Sequence, residues 1–261
     1  MGVKPLSSEV KLIACTGDPH KLAVASARTC YSNDIIFPND VKDEQKERLG
    51  KMLFESGHHT PFQHPTFVFA LSGVSRHLVW SFLHSHPYYN SEQSSQRYNL
   101  QKEPSAFTPP NLDSAAKKIY EDAVRHSWKT YFELSDALRG ELGPPVSAIC
   151  RIRGESEEKA QKELEKKAAE TARYVLPLAA ATALYHTVSL LTLERYAAMA
   201  HACDTPTEAK LLVGKMIDEV EKVAPGLIEL GKVDFTNTVD SPAKSLIKEQ
   251  MVANEAANAR F

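Results

Sequence analysis

Ser95 and Arg97 stand two residues apart in the polar tract Asn90-Ser91-Glu92-Gln93-Ser94-Ser95-Gln96-Arg97. In extended backbone, residues two apart point to the same side. The guanidinium offers a bidentate fork and the hydroxyl a short donor, a pairing that suits a phosphate. Taken alone, the two residues also fit an ordinary surface loop. Gln93 shares their register and can read an amide or a base edge. His64 follows a Pro61-Phe62-Gln63 turn and is the candidate acid–base or water-positioning histidine, with a hydrogen-bonded structural role as the alternative. His84-x-His86 could join His58, His59, His201 or Cys203 around a metal, but HxH alone is a weak signal and no metal is expected. Serine nucleophile chemistry lacks a GxSxG motif and an obvious Asp partner.

These residues need elements to position them. Thr66 to Ser72 alternates Phe67, Phe69 and Leu71 against Thr66, Val68 and Ala70, the period of a strand packed on at least one face. Gly73 is expected to break it. From Val74 the apolar spacing turns helical through Leu78 and Phe82, and Pro87 ends that helix. His84 and His86 then fall at a helix C-terminus, where the dipole favours imidazolium, so partial charge is expected on both. Upstream, Ser8 to Thr16 reads as a strand. Asp18-Pro19 opens a helix that runs to about Thr29, and Asp40 is placed as the cap of a second helix ending at Gly57. Downstream, Leu112 to Leu138 reads as a long amphipathic helix broken by Gly140 to Pro145. The charged run from Glu155 to Lys167 reads as a solvated helix face continuing through Ala168 to Leu193, with Pro177 as a kink or a junction. Thr205-Pro206-Thr207-Glu208 has the form of a capping box at the head of another helix. The segment after Lys232 reads as a loosely attached extension.

At 261 residues and 43% hydrophobic, the chain can bury a substantial core. A net charge of −2, from 31 basic and 33 acidic residues, gives no bulk attraction to nucleic acid or an anionic membrane. No apolar run approaches a membrane span, and the start of the chain lacks a signal-type apolar region, so a cytoplasmic protein is expected. Four cysteines without a CxxC read as reduced thiols. The absence of GxGxxG and GxxxxGK disfavours a Rossmann unit or a P-loop.

The run GHHTPFQHPTFVF…VSR…NSEQSSQRY resembles the flavin-dependent thymidylate synthase (ThyX) family. Two further segments agree: Lys21 to Ser32, KLAVASARTCYS, and Ala172-Arg173-Tyr174-Val175-Leu176-Pro177. The similarity runs from about Val10 to Val223, with an insertion near 140–160. It implies an α/β (α+β) fold, an antiparallel sheet flanked by long helices, in a homotetramer. It implies one catalytic domain over 1–235 and a C-terminal extension over 236–261. It further implies reductive methylation of dUMP, or a related pyrimidine nucleotide, at C5. FAD would be the cofactor, with methylenetetrahydrofolate and NADPH as co-substrates. By position, Gln93, Ser95, Arg97 and Arg173 would bind the nucleotide, His64 would lie beside the flavin, and His64 and Arg173 would be the catalytic residues.

The chain departs from the family pattern where the resemblance assigns cofactor phosphates. The family's Arg-His-Arg is His84-Ser85-His86 here, and a histidine cannot supply the guanidinium fork. Its Asn-x-Arg-Ser-Leu is Ser189 to Leu193, and a later Leu-Arg pair is Met199-Ala200. Two alternatives follow: a family member that has lost FAD and binds a nucleotide, or a different flavin or folate reaction on the same fold.

Overall fold

A computed structural model describes residues 3–5, 7–200 and 205–227. They fall in two compact units, one drawn from 1–9, 70–81 and 91–186, the other from 10–69, 82–90 and 187 onward. The expected extension over 236–261, with His201 and Cys203, lies outside the described residues.

In chain order the elements are β1 (Lys4–Pro5), β2 (Glu9–Cys15), α1 (Pro19–Thr29), α2 (Asp43–Glu55) and β3 (Thr66–Ser75). Then come α3 (Arg76–Leu78), β4 (Tyr89–Gln93), β5 (Ser105–Ala106), α4 (Ser114–Ile152) and α5 (Glu157–Ala172). β6 (Ala181–Ser189), α6 (Leu190–Ala200) and α7 (Thr207–Glu221) complete them. Four strands form one sheet in the order β2-β3-β6-β4, and β1 pairs in parallel with β5. The β3–β6 pair is antiparallel. Arg76 N–H donates to Ala180 O (3.1 Å) past one end, and Leu190 N–H to Pro65 O (2.9 Å) past the other.

Local chemistry explains most of these elements. Asp18 caps α1 by accepting the Lys21 N–H at 3.0 Å, with Pro19 inside the first turn. Along β3, Phe67, Phe69 and Leu71 are buried and their alternating neighbours are not. In the first unit, Trp128 and Val124 of α4 pack on Ala106 and Ala180. In the second, Tyr196 of α6 is fully buried and its hydroxyl donates to Leu83 O.

Several expectations are corrected. Gly73 does not end β3; it lies inside the strand at φ +64°, where a Cβ would come 2.7 Å from Ser7 O. Only glycine lets the two backbones approach so closely. The following helix is one short turn, α3, continued by a π-turn over Val79–Leu83. Asp40 caps no helix: its carboxylate accepts the Phe37 N–H at 2.9 Å, and α2 begins at Asp43. α4 is not broken at 140–145 but continues as 39 residues with Pro144 and Pro145 inside. Both prolines and residues Gly140 and Glu141 face solvent, where water can take the freed carbonyls. Arg139 of α4 also ties to Glu165 of α5 at 3.1 Å. The helix expected over 168–193 ends at Ala172. A 3-10 turn over Arg173–Val175 and Pro177 lead into β6, whose buried Thr182, Leu184, His186 and Val188 alternate with period two.

Candidate functional site

The predicted nucleotide-binding residues lie in the first unit. β4 ends at Gln93, and Ser94 N–H donates to Ala183 O at 2.9 Å, holding the start of the following loop to β6. Ser95 Oγ accepts the Arg97 N–H at 3.2 Å. The Arg97 side chain pairs with Glu170 of α5 at 2.8 Å. One turn beyond Glu170, Arg173 caps α5 and stacks its guanidinium 5.6 Å above the Tyr174 ring. Ser95, Arg97 and Arg173 are thus carried by one loop and the end of one helix.

Arg76 completes the set, and the sequence reading gave it no role. Ser75 Oγ accepts the Leu78 N–H at 3.0 Å and fixes the turn that starts at Arg76. The Arg76 Nη2 donates to Ser94 O at 2.7 Å. Burial lowers its basicity from the usual value, and the like charge of Arg173 lowers it further. Among the described residues, no carboxylate forms an ion pair with Arg76 or Arg173. A buried guanidinium facing a second one without a counter-ion makes a ready site for an anion. Arg76 Nε and Gln93 Nε2 are buried donors without a partner. Arg76 was discoverable: it closes the Val74-Ser75-Arg76 segment of the motif, at the junction of strand and turn.

The second unit holds a shallow groove of about 450 Å³ lined by Thr60, Gln63, Tyr88, Tyr89, Thr187 and Ser189, among others. His84 stacks on Tyr89 with centroids 4.4 Å apart and planes 8° from parallel. Ser189 Oγ donates to Gln63 Oε1 at 2.6 Å and accepts the Thr192 N–H at 3.1 Å. Thr192 Oγ1 donates to Tyr88 O at 3.1 Å. His86 is buried, with its Nε2 2.7 Å from Arg195 Nη1 and its Nδ1 3.5 Å from Thr192 Oγ1. Because a guanidinium can only donate, Nε2 accepts from Arg195; Nδ1 also faces a donor, the Tyr88 N–H at 3.3 Å. Ser85 Oγ donates to Phe82 O. His64 is exposed at the end of the 3-10 turn Thr60–Gln63.

The expected partial charge on His84 and His86 is a second correction. Burial lowers both imidazoles from their usual value, and Arg195 lowers His86 further. The element before them is too short to present a helix dipole. Among the described residues, no three His, Cys, Asp or Glu side chains gather as a metal site.

A family model described as "Thymidylate synthase complementing protein" matches residues 11–226. The flavin-dependent thymidylate synthase of Clostridium tetani is 32% identical over 232 residues, which is 87% of this chain and 87% of that protein. The chain belongs to the flavin-dependent thymidylate synthase family. The enzyme of that name from Nitratidesulfovibrio vulgaris is 28% identical over 196 residues, covering 72% of this chain and 71% of the relative. That of Halobacterium salinarum is 25% identical over 259 residues, covering 84% and 93%.

Membership in the flavin-dependent thymidylate synthase family poses a test of fit for a flavin. A flavin dinucleotide needs a flat wall for its ring, hydrogen-bonding groups for the ring edge and a cation for its phosphates. The groove offers the Tyr88 and Tyr89 rings, and with Gln63 Oε1 taken by Ser189, the Gln63 amide N–H groups are left to donate. The donor set fits. Among the described residues, no helix is long and apolar enough to cross a membrane.

Proposed function

We propose that this chain catalyses reductive methylation of dUMP, or a related pyrimidine nucleotide, at C5. In this reading methylenetetrahydrofolate donates the carbon, FAD the hydride, and NADPH recharges the flavin. The observation that carries it is the pair of unneutralised guanidiniums, Arg76 and Arg173, beside the Ser94-Ser95 turn.

The chain's own residues supply binding and electrostatics. Ser95 and the outer edge of Arg97 take the phosphate, and Glu170 braces the inner edge of that guanidinium. The orphaned Gln93 amide donates to a base carbonyl. Arg173 serves as a catalytic residue: C5 becomes nucleophilic when the ring takes on enolate-like negative charge at its oxygens, and a preorganised cation beside them favours that activated form. His64, exposed at the end of the Thr60–Gln63 turn, is the proposed acid–base residue. FAD, when bound, supplies the two-electron reduction of the transferred carbon. Gln63, Tyr88 and Tyr89 would hold its ring, with His84, Ser85 and His86 as the supporting cofactor segment.

The single span of the family match, 11–226, draws on residues of both compact units and supports one catalytic domain over 1–235, with 236–261 as an extension. A homotetramer is the proposed working unit. Exposed Tyr31, Phe37, Tyr174 and Leu178 are the kind of surface that association would cover. The free thiols Cys15, Cys30 and Cys150 accord with a cytoplasmic location.

The test is chromatographic detection of dTMP from dUMP, methylenetetrahydrofolate, NADPH and FAD, together with the absorbance spectrum of the protein titrated with FAD. Formation of dTMP that requires all four supports the proposal. Protein that stays colourless in FAD and makes no dTMP sinks it. If such protein still bound dUMP, a nucleotide-binding role would be favoured. The inward packing of His84 and His86, neither presenting a charged fork, gives that second reading its basis.

A further inference from the structure

We infer that Arg195, braced by His86, is the anion-contacting residue of the Tyr88–Tyr89 groove and grips the phosphates of the ligand held there. The inference rests on the flavin reading for the ligand's identity, but the anion site stands on its own geometry.

His84-Ser85-His86 brings no permanent cation to this part of the second unit, yet a guanidinium is present. It comes from α6, more than a hundred residues downstream. His86 Nε2 accepts from Arg195 Nη1 at 2.7 Å, and the buried ring is backed by Thr192 and packs 5.6 Å from the Tyr88 ring. One edge of the guanidinium is fixed and its other N–H donors remain available, as Arg195 is exposed.

The charge on Arg195 is not cancelled. Its hydrogen-bonding partner is a neutral acceptor, since an imidazolium could not accept its N–H. Among the described residues, Arg195 forms no ion pair. The carboxyl next to it in sequence, Glu194, is buried and has no hydrogen-bond partner on either oxygen. Burial raises its pKa to about 8, against the opposing pull of Arg195, so it is mostly protonated at neutral pH. A surface arginine with no electrostatic task usually finds a carboxylate or points freely into water. This one is anchored to a buried neutral ring.

Arg195 lies outside the lining itself and is linked to it by shared partners, His86 and Thr192. Tyr88 lines the groove, and its carbonyl accepts from Thr192, which also faces His86. Gln63 and Ser189 line the same groove and reach Thr192 through the Ser189 hydroxyl. A ligand combining a planar ring with a diphosphate tail matches this sequence of aromatic wall, amide donor and cation.

The test compares FAD, riboflavin and inorganic pyrophosphate on the full-length protein. Wild type should bind FAD at least tenfold more tightly than riboflavin, and added salt should shrink the gap. Arg195→Ala should lose most of the FAD advantage while its riboflavin affinity stays within twofold. Arg195→Lys, which keeps the charge without the fork, should fall between them. His86→Gln, whose amide oxygen can accept from Arg195, should retain the advantage, and His86→Leu should not. Unchanged FAD affinity in Arg195→Ala would overturn the inference, as would equal losses for FAD and riboflavin in a variant with native circular dichroism. If wild type binds neither flavin, the cofactor reading fails. Pyrophosphate then decides the site: thermal stabilisation of wild type that vanishes in Arg195→Ala sustains it, and no difference refutes it.

Discussion

The Arg76 guanidinium holds the Ser94 carbonyl oxygen at 2.7 Å, so the strand-to-turn junction after β3 fastens the loop that carries Ser95 and Arg97. The same guanidinium feels the charge of Arg173. Replacing it removes both a brace and half of a cationic pair. Arg76→Ala is expected to weaken dUMP binding by roughly one to two orders of magnitude, as a charge-assisted hydrogen bond contributes about 1.5–3 kcal/mol. Isothermal titration calorimetry on the folded variant checks this, and affinity within twofold of wild type would contradict it.

Glu170 pairs with Arg97 at 2.8 Å across partly exposed side chains. An ion pair of this kind contributes roughly 0–1 kcal/mol to folding. Glu170→Gln should therefore leave the denaturant midpoint almost unchanged. It should still lower dUMP affinity several-fold, because Arg97 loses its brace. A large stability loss with normal nucleotide binding would reverse the roles assigned to the pair.

Glu194 links stability to pH. Its folded pKa is raised by burial from 4.5 to about 8, so the folded state holds the proton more tightly than the unfolded chain. The stability it contributes is complete below about pH 4.5 and is lost as pH rises towards about 8. Glu194→Gln should match wild type near pH 5 and exceed it near pH 8.5 by on the order of a few kcal/mol. Urea unfolding at the two pH values reads the difference, and parallel curves would count against a buried, protonated carboxyl.

His86 acts in the opposite direction. Burial and Arg195 lower its folded pKa below the ordinary 6.5. The stability it contributes is present above that value and is lost as pH falls through the folded pKa. Thermal midpoints should decline on acidification below about pH 6.5, and His86→Gln should flatten part of that decline. A variant that keeps the full acid limb would show that another group causes it.

Gly73 sits at φ +64° inside β3, with Ser7 O 2.7 Å from the position of a Cβ. Gly73→Ala should cost roughly 1–3 kcal/mol in folding free energy from backbone strain, with a further loss from the clash. Chemical denaturation measures it. A neutral substitution would mean that the β1–β2 connection yields easily.

Much of this arrangement was legible in the sequence. The Asp18-Pro19 start of α1 and the alternation of Phe67, Phe69 and Leu71 rest on local rules, and both elements appear where those rules place them. β6 was missed because its exposed positions include Ala183 and Tyr185, leaving no polar alternation to contrast with Leu184 and Val188. Pro144 and Pro145 misled because a proline's cost depends on whether water can reach the freed carbonyls, which is a tertiary property. Ser95, Arg97 and Arg173 stand out by residue type and motif. Arg76 and Arg195 were passed over because their significance lies in what they face. Arg195 meets His86 across 109 positions of chain, a separation at which spacing rules carry no information.

The two consecutive prolines in α4 give that helix a mechanical boundary. Neither can donate an amide proton, so two successive links of the helical ladder are absent at one point, between a stretch starting at Ser114 and another ending at Ile152. Fraying that begins at the Ile152 end can stop there without loosening the half that packs Trp128 into the first unit's core. Amide exchange along α4 should accordingly show two protection levels, with the step at Pro144-Pro145.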